Sequence, residues 1–261
     1  MKAIITGAAS GIGRACALAL GQAARTRHQD AELLLVDYAE DKLAEAARML
    51  CDRGFKAISL VGDLSLPAFA DTIAHKAGDA FGGVDVLVSN AGAIMTAPLS
   101  EMALEDYERI FAINTRAAWL LAKACYPMLK SAHGCIVATA SISASQPTPP
   151  HGSYGASKSA LVMLIKQMAY EWGPDGIRCN CVSPGMIHTG MTDQVYSDPQ
   201  RRAERASHIP LRRVGDPEDV ARVVAFLASP DAAYVTGVDL AVDGGVQTAL
   251  MPTLRGASVP R

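Results

Sequence analysis

The alternation of short apolar runs with longer amphipathic segments constrains the fold of this 261-residue chain most strongly. Most of the apolar runs are followed by glycine, aspartate or asparagine, which is typical of buried parallel strands. The runs are Ala3–Thr6, Glu32–Asp37, Ala57–Gly62, Val84–Ser89, Cys135–Thr139, Ile177–Val182 and Val238–Val242. Between them, segments such as Arg14–Arg25, Asp41–Arg53 and Ser157–Trp172 carry helical periodicity. The pattern predicts an α/β fold with one doubly wound, about seven-stranded parallel sheet.

Composition excludes several classes of protein. Half of the residues are hydrophobic and the formal net charge is −2, with no long basic run, so a nucleic-acid partner has no electrostatic support. The six cysteines and six histidines show no metal-ligand spacing, so we expect no metal and interpret the cysteines as buried free thiols. The first residues lack the apolar stretch of a signal peptide, and no run is long enough to span a bilayer, which predicts a cytoplasmic protein without a membrane partner.

The alternation predicts one domain over residues 1–247. It breaks at Met186–Arg213, where we expect one or two short helices that form a substrate lid over the carboxyl edge of the sheet. Residues 24–31 are interpreted as a surface extension of the first helix with solvated basic side chains. The tail 248–261 is expected to be loose or to pack on a partner subunit.

The stretch Thr6-Gly7-Ala8-Ala9-Ser10-Gly11-Ile12-Gly13 follows the first predicted strand and opens the first predicted helix. Glycines at this position allow a tight turn and a close approach of the backbone to a ligand. The helix that follows offers free N–H groups and the positive end of its dipole to a pyrophosphate. This layout indicates a dinucleotide site.

Asp37 ends the second predicted strand. A carboxylate at this position can accept hydrogen bonds from both ribose hydroxyls of an adenosine, and it repels a 2′-phosphate. The neighbouring Ser10 and Tyr38 carry no positive charge, and Arg14 is the only nearby cation. The sequence therefore favours NAD over NADP.

Tyr154 and Lys158 lie four residues apart, which places them on one face of a helix one turn apart. A lysine ammonium near a tyrosine lowers the pKa of the phenol and makes proton exchange with an alcohol feasible. Ser141 follows the predicted strand Cys135–Thr139 at the carboxyl edge of the sheet, where its hydroxyl can bind a substrate oxygen.

Taken in order along the chain, these motifs resemble the short-chain dehydrogenase/reductase family, in its shorter form, over about residues 2–247. Further matches are Asp63-Leu64, Asn90-Ala91-Gly92, Asn114, Pro184-Gly185 with Ile187 and Thr189, and Val242-Asp243-Gly244-Gly245. The resemblance implies a Rossmann-type fold and a catalytic tetrad of Asn114, Ser141, Tyr154 and Lys158. It implies a cofactor site made of Gly7, Ser10, Gly11, Ile12, Gly13, Asp37, Tyr38, Asp63, Leu64, Asn90, Ala91, Gly92, Tyr154, Lys158, Pro184, Gly185, Ile187 and Thr189.

By this resemblance Tyr154 is the general acid or base, Ser141 orients the substrate oxygen, and Lys158 binds the nicotinamide ribose. Asn114 links Lys158 to solvent through a water. The family commonly forms homotetramers, or homodimers, through its two long helices, here near Tyr107–Lys130 and Tyr154–Trp172.

The expected reaction is the NAD-dependent interconversion of a secondary alcohol and its ketone. Apolar residues near the expected pocket, Met95, Met186, Met191, Val195 and Tyr196, favour a hydrophobic or cyclic substrate. Three alternatives stay open: a 3-oxoacyl-thioester reductase, which normally prefers NADPH; a sugar dehydrogenase, which needs a polar pocket; and a catalytically silent NAD-binding regulator.

Overall fold

The computed structural model describes residues 1–190, 192 and 196–249. Seven strands form one parallel sheet in the order β3-β2-β1-β4-β5-β6-β7, as the alternation predicts. The strands are β1 Lys2–Thr6, β2 Glu32–Asp37, β3 Lys56–Val61, β4 Val86–Ser89, β5 Cys135–Thr139, β6 Arg178–Pro184 and β7 Asp239–Val242. Their ends lie within about two residues of the predicted ones, because strands buried on both faces carry continuous apolar runs.

Eight α-helices flank the sheet in the described part of the chain. They are α1 Gly11–Thr26, α2 Glu40–Asp52, α3 Phe69–Phe81, α4 Leu104–Phe111, α5 Ala117–Ala132, α6 Tyr154–Trp172, α7 Pro199–Ser207 and α8 Pro217–Leu227. The long helix expected near Tyr107–Lys130 is interrupted, because Ala112–Arg116 forms a π-helical turn between α4 and α5.

The core consists of two apolar layers, one on each face of the sheet. On one face, α1, α2 and α8 contribute buried residues such as Leu20, Leu43 and Val224. On the other face, α3, α5 and α6 contribute Ile73, Leu121 and other buried residues. The strand order reverses between β1 and β4, which opens a crevice at the carboxyl ends of these strands, where ligands of doubly wound sheets bind.

The segment 24–31 extends the first helix, as expected, but its arginines are not simply solvated. The helix continues to Thr26, and the guanidinium of Arg25 lies 4.3 Å from the centre of the Phe55 ring. Arg27 forms an ion pair with Asp231 at 2.5 Å. These contacts tie the extension to the loops after α2 and α8.

The described part of the expected lid includes helix α7 and has its own small core. Tyr196, Ile209 and Val214 are buried there and pack against Met186 and Val246. The predicted pocket residues Met191 and Val195 lie outside the described residues, as does the tail from residue 250.

The interpretation of the cysteines as buried free thiols is right for five of the six. All six thiols are free, but Cys51, at the end of α2, is exposed. Among the described residues, no helix is long and apolar enough to cross a membrane.

Candidate active site

The predicted site residues gather at the carboxyl edge of the sheet. Those in strand–helix loops follow the strands as predicted: Gly7–Gly13 after β1, Asp37 and Tyr38 at the end of β2, Asp63 and Leu64 after β3, Asn90–Gly92 after β4, Ser141 after β5, and Pro184–Thr189 at the end of β6. Tyr154 and Lys158 lie in the first turns of α6, and Asn114 lies in the π-helical turn. The parallel topology explains why loops far apart in sequence meet here.

The glycine-rich turn between β1 and α1 has the geometry of a phosphate cradle. Gly7 has a φ of +66°, a conformation that residues with a side chain rarely adopt. A Cβ at Gly13 would lie 2.0 Å from the carbonyl oxygen of Gly7, so only glycine fits there. Ser10 caps α1 without a side-chain hydrogen bond, which leaves N–H groups of the first turn available to an anion. The turn therefore fits a pyrophosphate.

Side-chain hydrogen bonds join this turn to the loop after β4. The Thr6 hydroxyl accepts the N–H groups of Asn90 and Ala91, both at 3.0 Å. The Asn90 amide donates to the carbonyl oxygens of Thr6 at 3.1 Å and Gly7 at 3.4 Å. Asn90 thus holds the glycine-rich turn against the centre of the sheet.

Asp37 is fixed beside the same turn. One carboxylate oxygen accepts the backbone N–H of Ala9 at 3.0 Å, and the other accepts the N–H of Ala39 at 3.1 Å. The neighbouring Tyr38 side chain is 82% exposed. The arrangement places a half-buried negative charge at the point where β2 ends, next to the cradle.

Asp63 and Thr189 both follow strands at the carboxyl edge of the sheet. The Asp63 carboxylate accepts the N–H of Ser65 at 2.8 Å, and this hydrogen bond lowers the pKa of Asp63. Thr189, after β6, lies against the glycine-rich turn, because a Cβ at Gly11 would meet the Thr189 Cβ at 3.3 Å. Thr189 therefore lies beside the glycine-rich turn, whereas Asp63 lies at the end of β3, two strands from β1.

Ser141 and Tyr154 are brought together by the turn after β5. Ser141 is buried, and its hydroxyl accepts the N–H of Ser143 at 3.1 Å. This turn approaches the start of α6 closely, since a Cβ at Gly155 would lie 2.8 Å from the Ser143 carbonyl oxygen. The Ser141 side chain lies near Tyr154. Burial raises the pKa of Tyr154, and the nearby Ser141 hydroxyl opposes this rise.

Lys158 lies one turn beyond Tyr154 and is buried. Its Nζ donates a hydrogen bond of 2.7 Å to the carbonyl oxygen of Thr139 and lies 5.9 Å from the centre of the Tyr154 ring. Burial lowers the pKa of Lys158 to about 8. The lowering of the Tyr154 pKa that we expected from Lys158 is not seen, because the ammonium group contacts Thr139 rather than the phenol oxygen.

Hydrogen bonds of its side chain hold Asn114 in place. Its amide oxygen accepts the N–H of Ala93 at 2.8 Å, and its amide nitrogen donates to the Ala93 carbonyl and the Ser157 hydroxyl, both at 2.9 Å. A Cβ at Gly92 would lie 3.3 Å from both the Asn114 amide oxygen and Lys158 Nζ, so these groups are close neighbours. The π-helical turn places Asn114 here by adding one residue to the helix at this point.

Two polar residues at the site escaped the sequence analysis. Ser157 joins Asn114 to α6 and donates from its hydroxyl to the Tyr154 carbonyl at 2.7 Å. Thr139 holds Lys158 through its carbonyl and Asn90 through its hydroxyl. Their positions in the sequence could have identified them. Ser157 lies between Tyr154 and Lys158, and Thr139 is the last residue of a strand that ends at the site.

Polar side chains lie near Ser141 and Tyr154. The Ser143 hydroxyl is 2.9 Å from the Thr148 hydroxyl, and the His151 ring lies edge-on to the Tyr154 ring at 6.4 Å. By contrast, the lid residue Tyr196 is only 5% exposed and packs inside the lid. The apolar lid residues that the structure describes thus pack partly against the protein itself.

Comparison with known proteins agrees with the fold and the motifs. A family model described as "Enoyl-(Acyl carrier protein) reductase" matches residues 7–247. The chain belongs to the short-chain dehydrogenase/reductase family.

Three similar proteins represent this family. A tropinone reductase homolog of Arabidopsis thaliana is 34% identical over 94% of this chain and 79% of its own length. The L-rhamnose 1-dehydrogenase (NAD(P)⁺) of a Sphingomonas species is 37% identical over 93% of this chain and 94% of its own. The crystal structure of L-sorbose reductase from Gluconobacter frateurii, complexed with NADPH and L-sorbose, has a TM-score of 0.85 and 34% identity over 94% of this chain and 95% of that chain.

Proposed function

We propose that this protein is an NAD-dependent oxidoreductase that interconverts a secondary alcohol and its ketone. One observation carries the proposal: Tyr154 lies near Ser141 and one turn from buried Lys158, and Lys158 lies close to Gly92 in the loop that Asn90 ties to the glycine-rich turn. A bound nicotinamide supplies the hydride acceptor in oxidation and the hydride donor in reduction. The side chains are then left to bind the substrate oxygen and to move its proton.

Tyr154 is the proposed general acid and base, and Ser141 the group that orients the substrate oxygen. In reduction, the phenol gives its proton to the alkoxide that forms as hydride reaches the carbonyl carbon; in oxidation, the phenolate takes the hydroxyl proton. Because burial raises the pKa of Tyr154, the phenol is protonated at neutral pH and suits reduction. Oxidation needs the phenolate and is therefore favoured as the pH rises.

Lys158 and Asn114 support this proton transfer in the proposal. With a pKa of about 8, Lys158 is mostly charged at neutral pH. The hydrogen bond to Thr139 uses one N–H group of the ammonium and leaves the others available. These can bind a ribose hydroxyl and a water. The Asn114 side chain is fully engaged by Ala93 and Ser157, so it acts by fixing the backbone along which that water lies.

Asp37 supports NAD as the preferred dinucleotide. Its carboxylate is held by two backbone N–H groups at the end of β2, where an adenosine ribose lies in doubly wound folds. A 2′-phosphate at this place meets a fixed negative charge. L-sorbose reductase was crystallised with NADPH, and the L-rhamnose enzyme is named for NAD(P)⁺. The preference for NAD is therefore argued from Asp37 and not from these relatives.

For the substrate, we favour a polyhydroxylated compound such as a sugar or polyol over a hydrophobic ring. The hydroxyls of Ser143 and Thr148 and the imidazole of His151 lie near Tyr154, and such polar groups suit the hydroxyl groups of a substrate. The names of the L-rhamnose and L-sorbose enzymes agree with this choice. A hydrophobic or cyclic substrate stays a prediction, because the apolar Met95 side chain is exposed and could contact such a substrate.

The test is a cofactor-resolved activity screen. Purified protein is mixed with NAD⁺ or NADP⁺ and a panel of sugars, polyols, cyclic alcohols, steroids and hydroxyacyl thioesters, and reduced-cofactor absorbance is followed. We expect turnover with NAD⁺ and at least one sugar or polyol. Tyr154→Phe should lower kcat by about 10²–10⁴-fold without loss of NAD binding. Tyr170→Phe, an exposed position on the same helix, is the matched control and should keep full activity.

Each alternative has its own outcome. An unchanged rate in Tyr154→Phe contradicts the proposed mechanism. Turnover of hydroxyacyl thioesters with NADP⁺ supports the 3-oxoacyl-thioester reductase. Dinucleotide binding without turnover of any substrate class, in either direction, supports the silent regulator.

We also propose that the protein acts as a homotetramer in the cytoplasm. The exposed apolar residues Tyr107, Trp119 and Met163, on α4, α5 and α6, support assembly through these helices. The cytoplasmic location stays a prediction from the sequence.

A further inference from the structure

Thr139, the last residue of β5, contacts both halves of the proposed site. Its carbonyl oxygen accepts the hydrogen bond from Lys158 Nζ at 2.7 Å, and its hydroxyl donates to the Asn90 amide oxygen at 3.1 Å. The residue is 6% exposed. Its side chain reaches Asn90 because β5 pairs with β4, where Ser89 lies opposite Ala138.

The orientation of the Asn90 amide defines what the Thr139 hydroxyl does. The amide nitrogen faces two carbonyl oxygens, those of Thr6 and Gly7, so the amide oxygen must face Thr139. The Thr139 hydroxyl is therefore the donor in this pair. A partly buried amide oxygen that loses its donor is destabilised, and the amide is then free to turn away from the glycine-rich turn.

We propose that Thr139 is a positioning residue of the dinucleotide site. Its hydroxyl acts through Asn90 on the glycine-rich turn, while its carbonyl holds Lys158 beside Tyr154. One residue thereby fixes the distance between the phosphate cradle and the proton-transfer groups. The inference rests on the proposed dinucleotide-dependent function and adds a residue outside the predicted tetrad and cofactor set.

The test measures dinucleotide affinity rather than turnover. Thr139→Val removes the hydroxyl with little change of shape, and the dissociation constant for NADH, followed by its fluorescence, should rise about tenfold. Thr139→Ser retains the hydroxyl and should stay within about twofold of the parent protein. Val137→Ala, on the same face of β5, is the control: it should lower the melting temperature and leave the affinity unchanged.

A double-mutant cycle separates positioning from a general loss of packing. If Thr139 acts through Asn90, then Thr139→Val in an Asn90→Ala background should add no further loss of NADH affinity. Additive losses overturn the inference, as does an unchanged affinity in Thr139→Val. If Thr139→Val does not fold, Thr139→Ala measured against Thr139→Ser gives the same comparison.

The failure of this inference differs from the failure of the proposed function. A parent protein that binds neither NADH nor NADPH refutes the dinucleotide function itself. If the parent protein binds NADH and Thr139→Val binds it equally tightly, only the role of Thr139 is refuted.

Discussion

At the scale of single residues, Asp37 has two tasks that a single substitution can separate. Its carboxylate accepts N–H groups from Ala9 and Ala39, which shapes the loop, and its charge faces the proposed ribose site. An asparagine removes the charge and keeps one oxygen acceptor, so it retains one of the two backbone hydrogen bonds. The lost hydrogen bond affects the binding of both dinucleotides, so the ratio of the two affinities reports on the charge.

We predict that Asp37→Asn weakens NADH binding about tenfold and strengthens NADPH binding by about the same factor, because the repulsion of the 2′-phosphate is removed. Both dissociation constants are measured by cofactor fluorescence. The control is Asp41→Asn, which removes a nearby exposed charge in the first turn of α2 and should leave both constants unchanged. A parent protein that already prefers NADPH contradicts the prediction.

The residues of the site also show what a sequence can and cannot predict. The proximity of Tyr154 and Lys158 follows from helical spacing, and the position of Ser141 follows from its place after a strand. The hydrogen bond of Lys158 to the Thr139 carbonyl could not be predicted in this way. Every residue carries the same backbone carbonyl, so no residue type signals which carbonyl oxygen faces a buried ammonium group.

At the scale of secondary-structure elements, the strands were predictable and the interruptions were not. Buried parallel strands carry apolar runs that end where the backbone leaves the core. The π-helical turn at Ala112–Arg116 has no such pattern, because its five residues are too few to show a periodicity of their own. The segment 186–213 was recognisable by its break in periodicity, but the burial of Tyr196 within it depends on contacts with residues more distant in sequence.

Helix α8 has a charged N-terminal network that should support stability. The Asp219 carboxylate accepts the Asp216 N–H at 2.9 Å in a capping box and binds the guanidinium groups of Arg213 and Arg222. The hydrogen bond from Arg213 and its partners lower the pKa of Asp219 to about 2. Because α8 packs on α1, this network supports the helix that opens the cofactor cradle.

We predict that Asp219→Ala lowers the free energy of unfolding by about 1 kcal/mol at neutral pH, mainly through loss of the cap. The unfolded pKa lies near 3.9, above the folded value of about 2, so the ionised carboxylate stabilises the fold fully above about pH 4. This contribution is lost as the pH falls towards 2. Denaturant unfolding at equal protein concentration measures the difference. Glu218→Ala, an exposed neighbour in the same turn, should have little effect, and equal losses in the two variants would refute the role of the cap.

At the scale of the whole molecule, three helices of the proposed assembly surface, α4, α5 and α6, present apolar side chains to solvent. Trp119 on α5 and Tyr107 on α4 are each 42% exposed, and Met163 on α6 is 65% exposed. Trp119 and Tyr107 border one groove together with Phe111 and Leu164. Aromatic and methionine side chains are enriched in the buried centres of protein interfaces, so this surface suits a second copy of the chain.

We predict that Trp119→Glu disrupts this assembly, because an interface that buries the indole would have to desolvate an unpaired carboxylate instead. Light scattering coupled to size-exclusion chromatography should give the mass of a tetramer for the parent protein and a smaller particle for the variant. Leu66→Glu, at a position 60% exposed in the loop after β3, tests whether any added charge has this effect and should leave the mass unchanged. A parent protein that is a stable monomer at working concentration refutes the assembly proposal. The proposed chemistry would stand without assembly, because the cradle, Ser141 and Tyr154 all belong to one chain.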